Sequence, residues 1–360
     1  MQDSTGSELR RYWDPEHPVL RILRARRDSG SLPHHRSDGA RVALTIEGGG
    51  MRGVTSAAIL TQLDDYGFKN AFDVVYGSSA GAINGAYFLT QDSWYPLSIY
   101  YEDLAGREFV DFSRALRRRP IMNLDYLFGV LMRSRKPLQY QSVVDSPIPL
   151  VVAVTDVDAL QTATLRDFPS AEALETALRA STWLPIAVPG AMELDGRRMV
   201  DGGLITPLCF KLAVKQGCTH VLSLSTRHPQ TGPSRSSWLH RWIGMSLDRI
   251  SLGLGNCYLE SLRQRAEDET WLAQQRLSTP SNGPHVLDLS PLPWMSRVTL
   301  DERDRYSVLA AGRQAYSLGY CATEAADPEL LRDGRIRTMP RLTVVRTTGA
   351  TYTPVPAAVR

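Results

Sequence analysis

The sequence predicts an α/β domain whose central sheet is mainly parallel and carries helices on both faces. Three observations predict it. Short runs rich in Val, Leu and Ile recur between segments of helical spacing, the alternation expected when each parallel crossover is made by a helix. The first two of these runs each open into a glycine-rich turn and then a helix. The 360 residues, 43% of them apolar, suffice for one large core with extensions.

The elements follow in order. Residues 1 to 38 mix Arg, Asp, His, Ser, Gly and Pro without lasting periodicity and read as a flexible charged leader. Val42 to Ile46 is a first buried strand, followed by Glu47-Gly48-Gly49-Gly50-Met51-Arg52-Gly53 and a helix with Ile59, Leu60 and Leu63 on one face. Phe72 to Tyr76 is a second strand, running into Gly77-Ser78-Ser79-Ala80-Gly81 and a helix of small residues. Residues 91 to 147 are expected to be mostly helical, and Pro149 to Thr155 is a third strand. Ser170 is placed to cap a helix carrying Leu174, Ala177 and Leu178. Arg197 to Val200 is a strand ending at Asp201-Gly202-Gly203, Pro207 and Gly217 bracket a helix, and Thr219 to Ser225 is a further strand. Helices are expected around 236 to 277 and 303 to 319, with a strand at Val286 to Leu289. The chain thus divides into a leader (1–38), a catalytic core (39–230) and a helical C-terminal extension that completes the domain (231–360).

Composition excludes several classes of function. A formal net charge of +3 is too small for a phosphate-tracking protein, so no nucleic-acid partner is expected. Cys209, Cys218, Cys257 and Cys321 are too widely spaced for Cys-x-x-Cys metal pairs or a disulfide scaffold, and read as thiols of a reducing, cytoplasmic compartment. Neither the Arg10-Arg11 nor the Arg26-Arg27 pair precedes the apolar stretch an export signal needs. No uncharged apolar run approaches the roughly 20 residues that span a bilayer, so any membrane contact is expected to be peripheral. No heptad seam indicates an oligomeric state, which the sequence leaves unknown.

Chemistry is concentrated in three motifs. Gly77-x-Ser79-x-Gly81 has the form of a nucleophile elbow, in which a tight strand-to-helix turn lifts the serine clear of the sheet and small neighbours relieve crowding. The run Gly48-Gly49-Gly50 lets backbone N–H groups converge on a small volume with no Cβ in the way, as an oxyanion hole requires. Such donors contribute roughly 3 to 4 kcal/mol each to a transition state. Gly48-x-Gly50-x-x-Gly53 also fits a dinucleotide-binding loop. The elbow at the end of the very next strand, which would set Ser79 beside the glycines, and the lack of a Walker lysine weigh against that reading. For the base, a histidine or a carboxylate is available. His220, His228, His240 and His285 all follow Ser79, but His220 alternates into an apolar strand and His228 sits in a polar loop. Asp201 terminates a strand, and Gly202 and Gly203 free its backbone to approach another loop.

Together these motifs resemble the patatin-like phospholipases, serine lipases with a Ser-Asp dyad and no histidine. Glu47 to Gly53 looks like that family's oxyanion loop (Gly48, Gly49, Gly50, Met51, Arg52, Gly53), Gly77 to Gly81 like its elbow, and Asp201-Gly202-Gly203 like its base motif. Ala180-Ser181-Thr182-Trp183-Leu184-Pro185 is similar to the segment that precedes the base. The resemblance covers residues 41 to 226. The family's loop commonly begins with Asp, whereas this chain has Glu47, one methylene longer. The resemblance implies acyl transfer with no cofactor or metal: Asp201 accepts the proton of Ser79, Ser79 attacks an ester carbonyl, and the glycine loop holds the oxyanion. The expected partner is a lipid or acyl-ester substrate, most naturally a phospholipid. A carboxylesterase, thioesterase or acyltransferase with the same dyad is the alternative enzyme, and a non-catalytic lipid-binding protein the alternative of another class.

Two regions bear on substrate choice. Arg114, Arg117, Arg118, Arg119, Arg133, Arg135 and Lys136 make the segment after the elbow helix basic, read as a solvated face with lipid headgroups as the alternative partner. Trp238, Trp242, Ile243, Leu247 and Ile250 form an apolar stripe, read as core packing with interfacial binding as the alternative.

Overall fold

The computed structural model describes residues 12–90, 93–117, 119–229, 238–277 and 283–329. Eight strands form one sheet: β1 (Val42–Ile46), β2 (Val74–Ser78), β3 (Leu150–Asp156), β4 (Gln161–Leu165), β5 (Met192–Leu194), β6 (Arg197–Asp201), β7 (His220–Leu224) and β8 (His285–Leu289). The order is β5-β6-β3-β2-β1-β7-β8, with β4 also paired to β3. β3, β2, β1, β7 and β8 are parallel, while β4, β5 and β6 join through antiparallel pairs. The α/β class with a mainly parallel sheet is therefore as the sequence predicts. β4 and β5 have no counterpart in that prediction.

The helices are α1 (Pro18–Asp28), α2 (Val54–Asp65), α3 (Ala80–Phe88), α4 (Trp94–Ile99), α5 (Tyr140–Val144), α6 (Ala171–Ser181), α7 (Phe210–Lys215), α8 (Trp238–Leu247), α9 (Leu254–Gln275) and α10 (Arg305–Thr323). They cover both faces because the strand side chains alternate between two cores. Leu44, Ile46, Val75, Val152 and Leu222 pack with Ala57, Leu60 and Ala86 on one side. Ala43, Val74, Val151 and Val221 pack with Phe210 and Leu272 on the other. A smaller cluster sets Ile243, Leu247 and Leu254 against Val200 of β6. Gln62 of α2 donates to the Thr323 hydroxyl at 3.0 Å, and Tyr316 donates to Asp65 at 2.7 Å, seating α10 along α2. Among the described residues no helix is long and apolar enough to cross a membrane.

One expectation is corrected here. Residues 12–38 are not a flexible leader: α1 packs on the core through Val19, Leu20 and Leu23, with Trp13 also buried. The arginines that made the segment look solvated find internal partners. Arg26 is 2% exposed and donates to Asp38, Asp73 and the carbonyls of Ala71 and Ala40, each at 2.8 Å. Residues 1–11, with the Arg10-Arg11 pair, lie outside the described residues. The described residues between 93 and 147 are mostly helical, as expected, but the helices are short: besides α4 and α5, Tyr100–Leu104 and Tyr126–Arg135 are π-helical and Phe112–Arg117 is 3-10. Pro120 and Pro137, which lack an amide hydrogen, bound these short pieces.

Candidate active site

The turn after β2 places Ser79 in a conformation that few non-glycine residues adopt, φ 54° and ψ −131°, and α3 begins at the next residue. The turn is this tight because its neighbours have no side chain. A Cβ on Gly81 would lie 2.4 Å from the Ile46 carbonyl oxygen, and one on Gly77 would lie 2.6 Å from Ala82 Cα. The Ser79 amide donates to the Ser181 hydroxyl at 2.8 Å, which in turn donates to the Ala153 carbonyl at 2.7 Å. Ser181, the last residue of α6, thereby ties the elbow to β3.

Strand register brings Asp201 to the same place. β2 ends with Ser78 opposite Ala153 of β3, and β6 pairs Asp201 with the next residue, Val154. The two strands thus share one edge of β3 end to end. Gly202 permits the approach: a Cβ there would lie 2.2 Å from the Ala153 carbonyl oxygen. Asp201 is buried, and its Oδ1 accepts the Gly203 amide at 2.8 Å. Burial raises its carboxyl from the ordinary 3.8 to about 6, against the opposing pull of hydrogen bonds from the Ser79 side chain and the Gly203 amide.

The glycine loop lies over this pair. A Cβ on Gly48 would fall 2.7 Å from Ser79 Cβ. The Met51 amide is taken by the Leu300 carbonyl at 2.9 Å and the Arg52 amide by the Gly49 carbonyl at 3.1 Å. These two residues, expected among the oxyanion donors, are therefore engaged elsewhere. Among the described residues, the amides of Gly48, Gly49 and Gly50 have no such partner. Gly53 serves packing, since a Cβ there would meet the Tyr100 hydroxyl at 2.2 Å. Asn84 Nδ2 donates to the Gly53 carbonyl at 2.9 Å and locks the loop to α3.

Glu47 anchors the start of the loop through residues that sequence reasoning missed. Its Oε1 receives Arg265 Nη1 of α9 at 2.6 Å and its Oε2 the Thr226 amide at 2.6 Å, while Arg227 Nε lies 3.6 Å away. Burial alone would raise the Glu47 carboxyl, but Arg265 and Arg227 hold it below its ordinary value. The Thr226 hydroxyl donates to the Gly48 carbonyl at 2.9 Å. The extra methylene of Glu47 thus spans to a partner on a distant helix. Arg52, by contrast, has a buried Nε without a hydrogen-bond partner among the described residues, and burial together with nearby Arg227 lowers its pKa to about 10.

These groups open onto a cavity of about 520 Å³. Its walls are largely apolar, with Ile83, Ile99, Leu104, Phe109 and Leu127 among them, whereas Arg52 and Arg227 border it with the glycine loop. Of the histidines, His220 and His285 start β7 and β8, at the end of the sheet opposite Ser79. His228 pairs with the Met295 carbonyl at 3.2 Å. His240 does line the cavity, with its Nδ1 2.8 Å from the Tyr258 hydroxyl. Much of the basic segment is internally paired: Arg133 with Glu175, Arg135 with Asp103, Lys136 with Glu102 and Asp103. Arg118 lies outside the described residues. The apolar stripe of α8 is only partly core, since Ile243 and Leu247 are buried but Trp238 and Trp242 are exposed.

A family model described as Patatin-like phospholipase matches residues 44–214. The uncharacterized protein YjjU of Escherichia coli K12 is 27% identical over 285 residues, covering 78% of this chain and 75% of that protein. An uncharacterized NTE family protein of Mycobacterium tuberculosis is 25% identical over 298 residues, 72% of this chain and 75% of its own length. Among solved structures, VipD from Legionella pneumophila aligns with TM-score 0.42 and 10% identity, over 81% of this chain and 68% of that one.

Proposed function

From the premise that residues 44–214 are a patatin-like phospholipase domain, we propose that the protein is a lipid acyl hydrolase of phospholipase A type. Ser79 is its nucleophile and Asp201 its base. Asp201 takes the hydroxyl proton as Ser79 attacks the ester carbonyl and passes it to the departing alcohol as the ester C–O bond breaks; the amides of Gly48 to Gly50 stabilise the oxyanion, and water, giving its proton to Asp201, then releases the acid from the acyl-enzyme and Ser79 regains its proton. The observation that carries this reading is the shared edge of β3, which delivers a strained serine and a buried carboxylate to one point beneath the glycine loop.

A carboxylate is a weaker base than imidazole, and the raised affinity of Asp201 for a proton offsets part of that difference. The largely apolar cavity suits an acyl chain. Arg52 and Arg227 at its polar end suit a phosphate headgroup, because a buried guanidinium N–H without a partner is stabilised by an anion. They favour a phospholipid over the small esters of a general carboxylesterase. The unpaired thiols among the described residues support a cytoplasmic location.

The test is labelling by a fluorophosphonate probe and turnover of a short acyl ester, comparing the native chain with Ser79→Ala, Asp201→Asn and His240→Ala. Both activities should vanish in the first two variants and persist in the third. Loss in His240→Ala with retention in Asp201→Asn would replace the dyad by a histidine mechanism. A folded native chain that neither labels nor turns over would leave lipid binding without chemistry.

A further inference from the structure

We propose that the outer face of α8 is a docking surface for an anionic lipid bilayer, set so that the cavity mouth meets the membrane. This rests on the acyl-hydrolase reading above, and it specifies which surface delivers the substrate.

Helix α8 has two unlike faces. Ile243, Gly244 and Leu247 are buried against the small core cluster around Val200. On the other face, Trp238 is 80% exposed, Trp242 51% and Met245 61%. Positions 238, 242 and 245 are spaced i, i+4 and i+7, so the three form one continuous apolar ridge. Arg241 and Arg249 are exposed beside it, and Leu252 in the following turn is 88% exposed. No acidic residue occurs within α8. Asp248, just beyond it, is occupied in accepting the Gly253 and Gly255 amides at 3.1 and 2.8 Å.

A pair of exposed indoles with a methionine is costly to leave in water but well placed at a lipid headgroup boundary, where the ring is apolar and its N–H stays wet. Arg241 and Arg249, which form no ion pair among the described residues, complement an anionic leaflet. The position of the helix identifies the occupant. Leu239, His240 and Ile243 of α8 line the cavity that contains Ser79, and exposed Leu300 and Ile186 lie on the same lining. The ridge therefore continues into an apolar entrance, and an anionic lipid leaving the bilayer along it meets no acidic side chain on α8.

The experiment uses the full chain and sedimentation with vesicles, either of phosphatidylglycerol and phosphatidylcholine mixed or of phosphatidylcholine alone. The native chain should bind the mixed vesicles with a blue shift of indole emission. Trp238→Ser/Trp242→Ser/Met245→Ser should lower the partition coefficient roughly a hundredfold or more. Arg241→Gln/Arg249→Gln should lower it roughly fivefold per arginine, on anionic vesicles only. Since none of these side chains lines the cavity, turnover of a water-soluble acyl ester should stay native in both variants, which also reports that they fold. A native chain that does not bind vesicles, or a triple-serine variant that binds as well as native, overturns the proposal. A solution mass that halves in the triple-serine variant overturns it too, assigning the face to a second copy. Vesicle binding through α8 without ester turnover in the native chain would sustain the docking surface and sink the hydrolase reading, so the two fail separately.

Discussion

At the scale of single residues, Asp201 and Ser79 are placed against their own stability. With the folded carboxyl at about 6 and the ordinary value at 3.8, the native state binds the extra proton between those pH values, so stability falls as pH rises through them. Each pH unit is worth about 1.4 kcal/mol. Asp201→Asn is therefore expected to stabilise the protein by roughly 3 kcal/mol above pH 6, with the gain vanishing below about pH 4, as denaturant titrations across pH would read. The same ionisation should appear in the native enzyme as a rise of kcat/KM through pH 6. Ser79 pays in backbone conformation. Ser79→Gly should gain about 1 kcal/mol in denaturant unfolding while abolishing turnover, because glycine occupies its positive φ freely. Ser79→Ala should lose turnover without that gain. Both positions could be proposed from the sequence because glycines lie beside each, on both sides of Ser79 and after Asp201, and a strand leads to each. Ser181 was harder to read, since a hydroxyl that bridges an amide and a carbonyl has no spacing rule; only its Ala-Ser-Thr-Trp surroundings marked it.

At the scale of elements, what the sequence disclosed depends on how local each cause is. β1, β2, β3 and β7 could be read because each is a short apolar run bounded by turn residues, buried along nearly its whole length. β4 and β5 could not, since their residues are half-exposed and their identity comes from antiparallel partners rather than from a pattern. The anchoring of the glycine loop is also non-local: Thr226 lies 179 residues from Glu47 and Arg265 lies 218 away. Glu47→Gln removes the carboxylate shared by that loop, the segment just after β7 and α9, and leaves Arg265 facing Glu269. A loss on the order of 3 to 5 kcal/mol in denaturant unfolding is expected, as for a broken buried ion pair. Turnover at temperatures where the variant stays folded should also fall, because the amides of Gly48 to Gly50 would no longer be held over Ser79. A Glu47→Gln chain with native stability would show the anchor to be dispensable.

At the scale of the whole molecule, both ends of the described chain fold back onto the middle. Arg27 of α1 pairs with Glu324 just beyond α10, and Arg24 donates to the Thr323 and Ala322 carbonyls at 2.7 and 3.1 Å. The segment that looked like a leader thus joins the helix that covers α2. A chain starting at Gly39 would uncover the part of the core that Leu20 and Leu23 cover and leave Asp73 without Arg26 and Arg36. It is expected to lose several kcal/mol of stability, roughly 2 from each of the two leucines alone, and to unfold at visibly lower temperature by circular dichroism. Truncation without a change in melting would return residues 12–38 to the status of an appendage.

The end-to-end meeting of β2 and β6 along β3 has a consequence for the history of each chain. The proposed nucleophile and base are separated by 121 intervening residues, and the arginine that fixes the loop comes 64 positions after the proposed base. A growing polypeptide released from the ribosome far enough to fold β1 and β2 would hold a serine with no base. It would gain the base only when β6 docked and a secured loop only after α9 emerged. If the proposed dyad holds, partly synthesised chains that end before position 201 should show no ester turnover, and those that end between 201 and 265 should show less than the full chain.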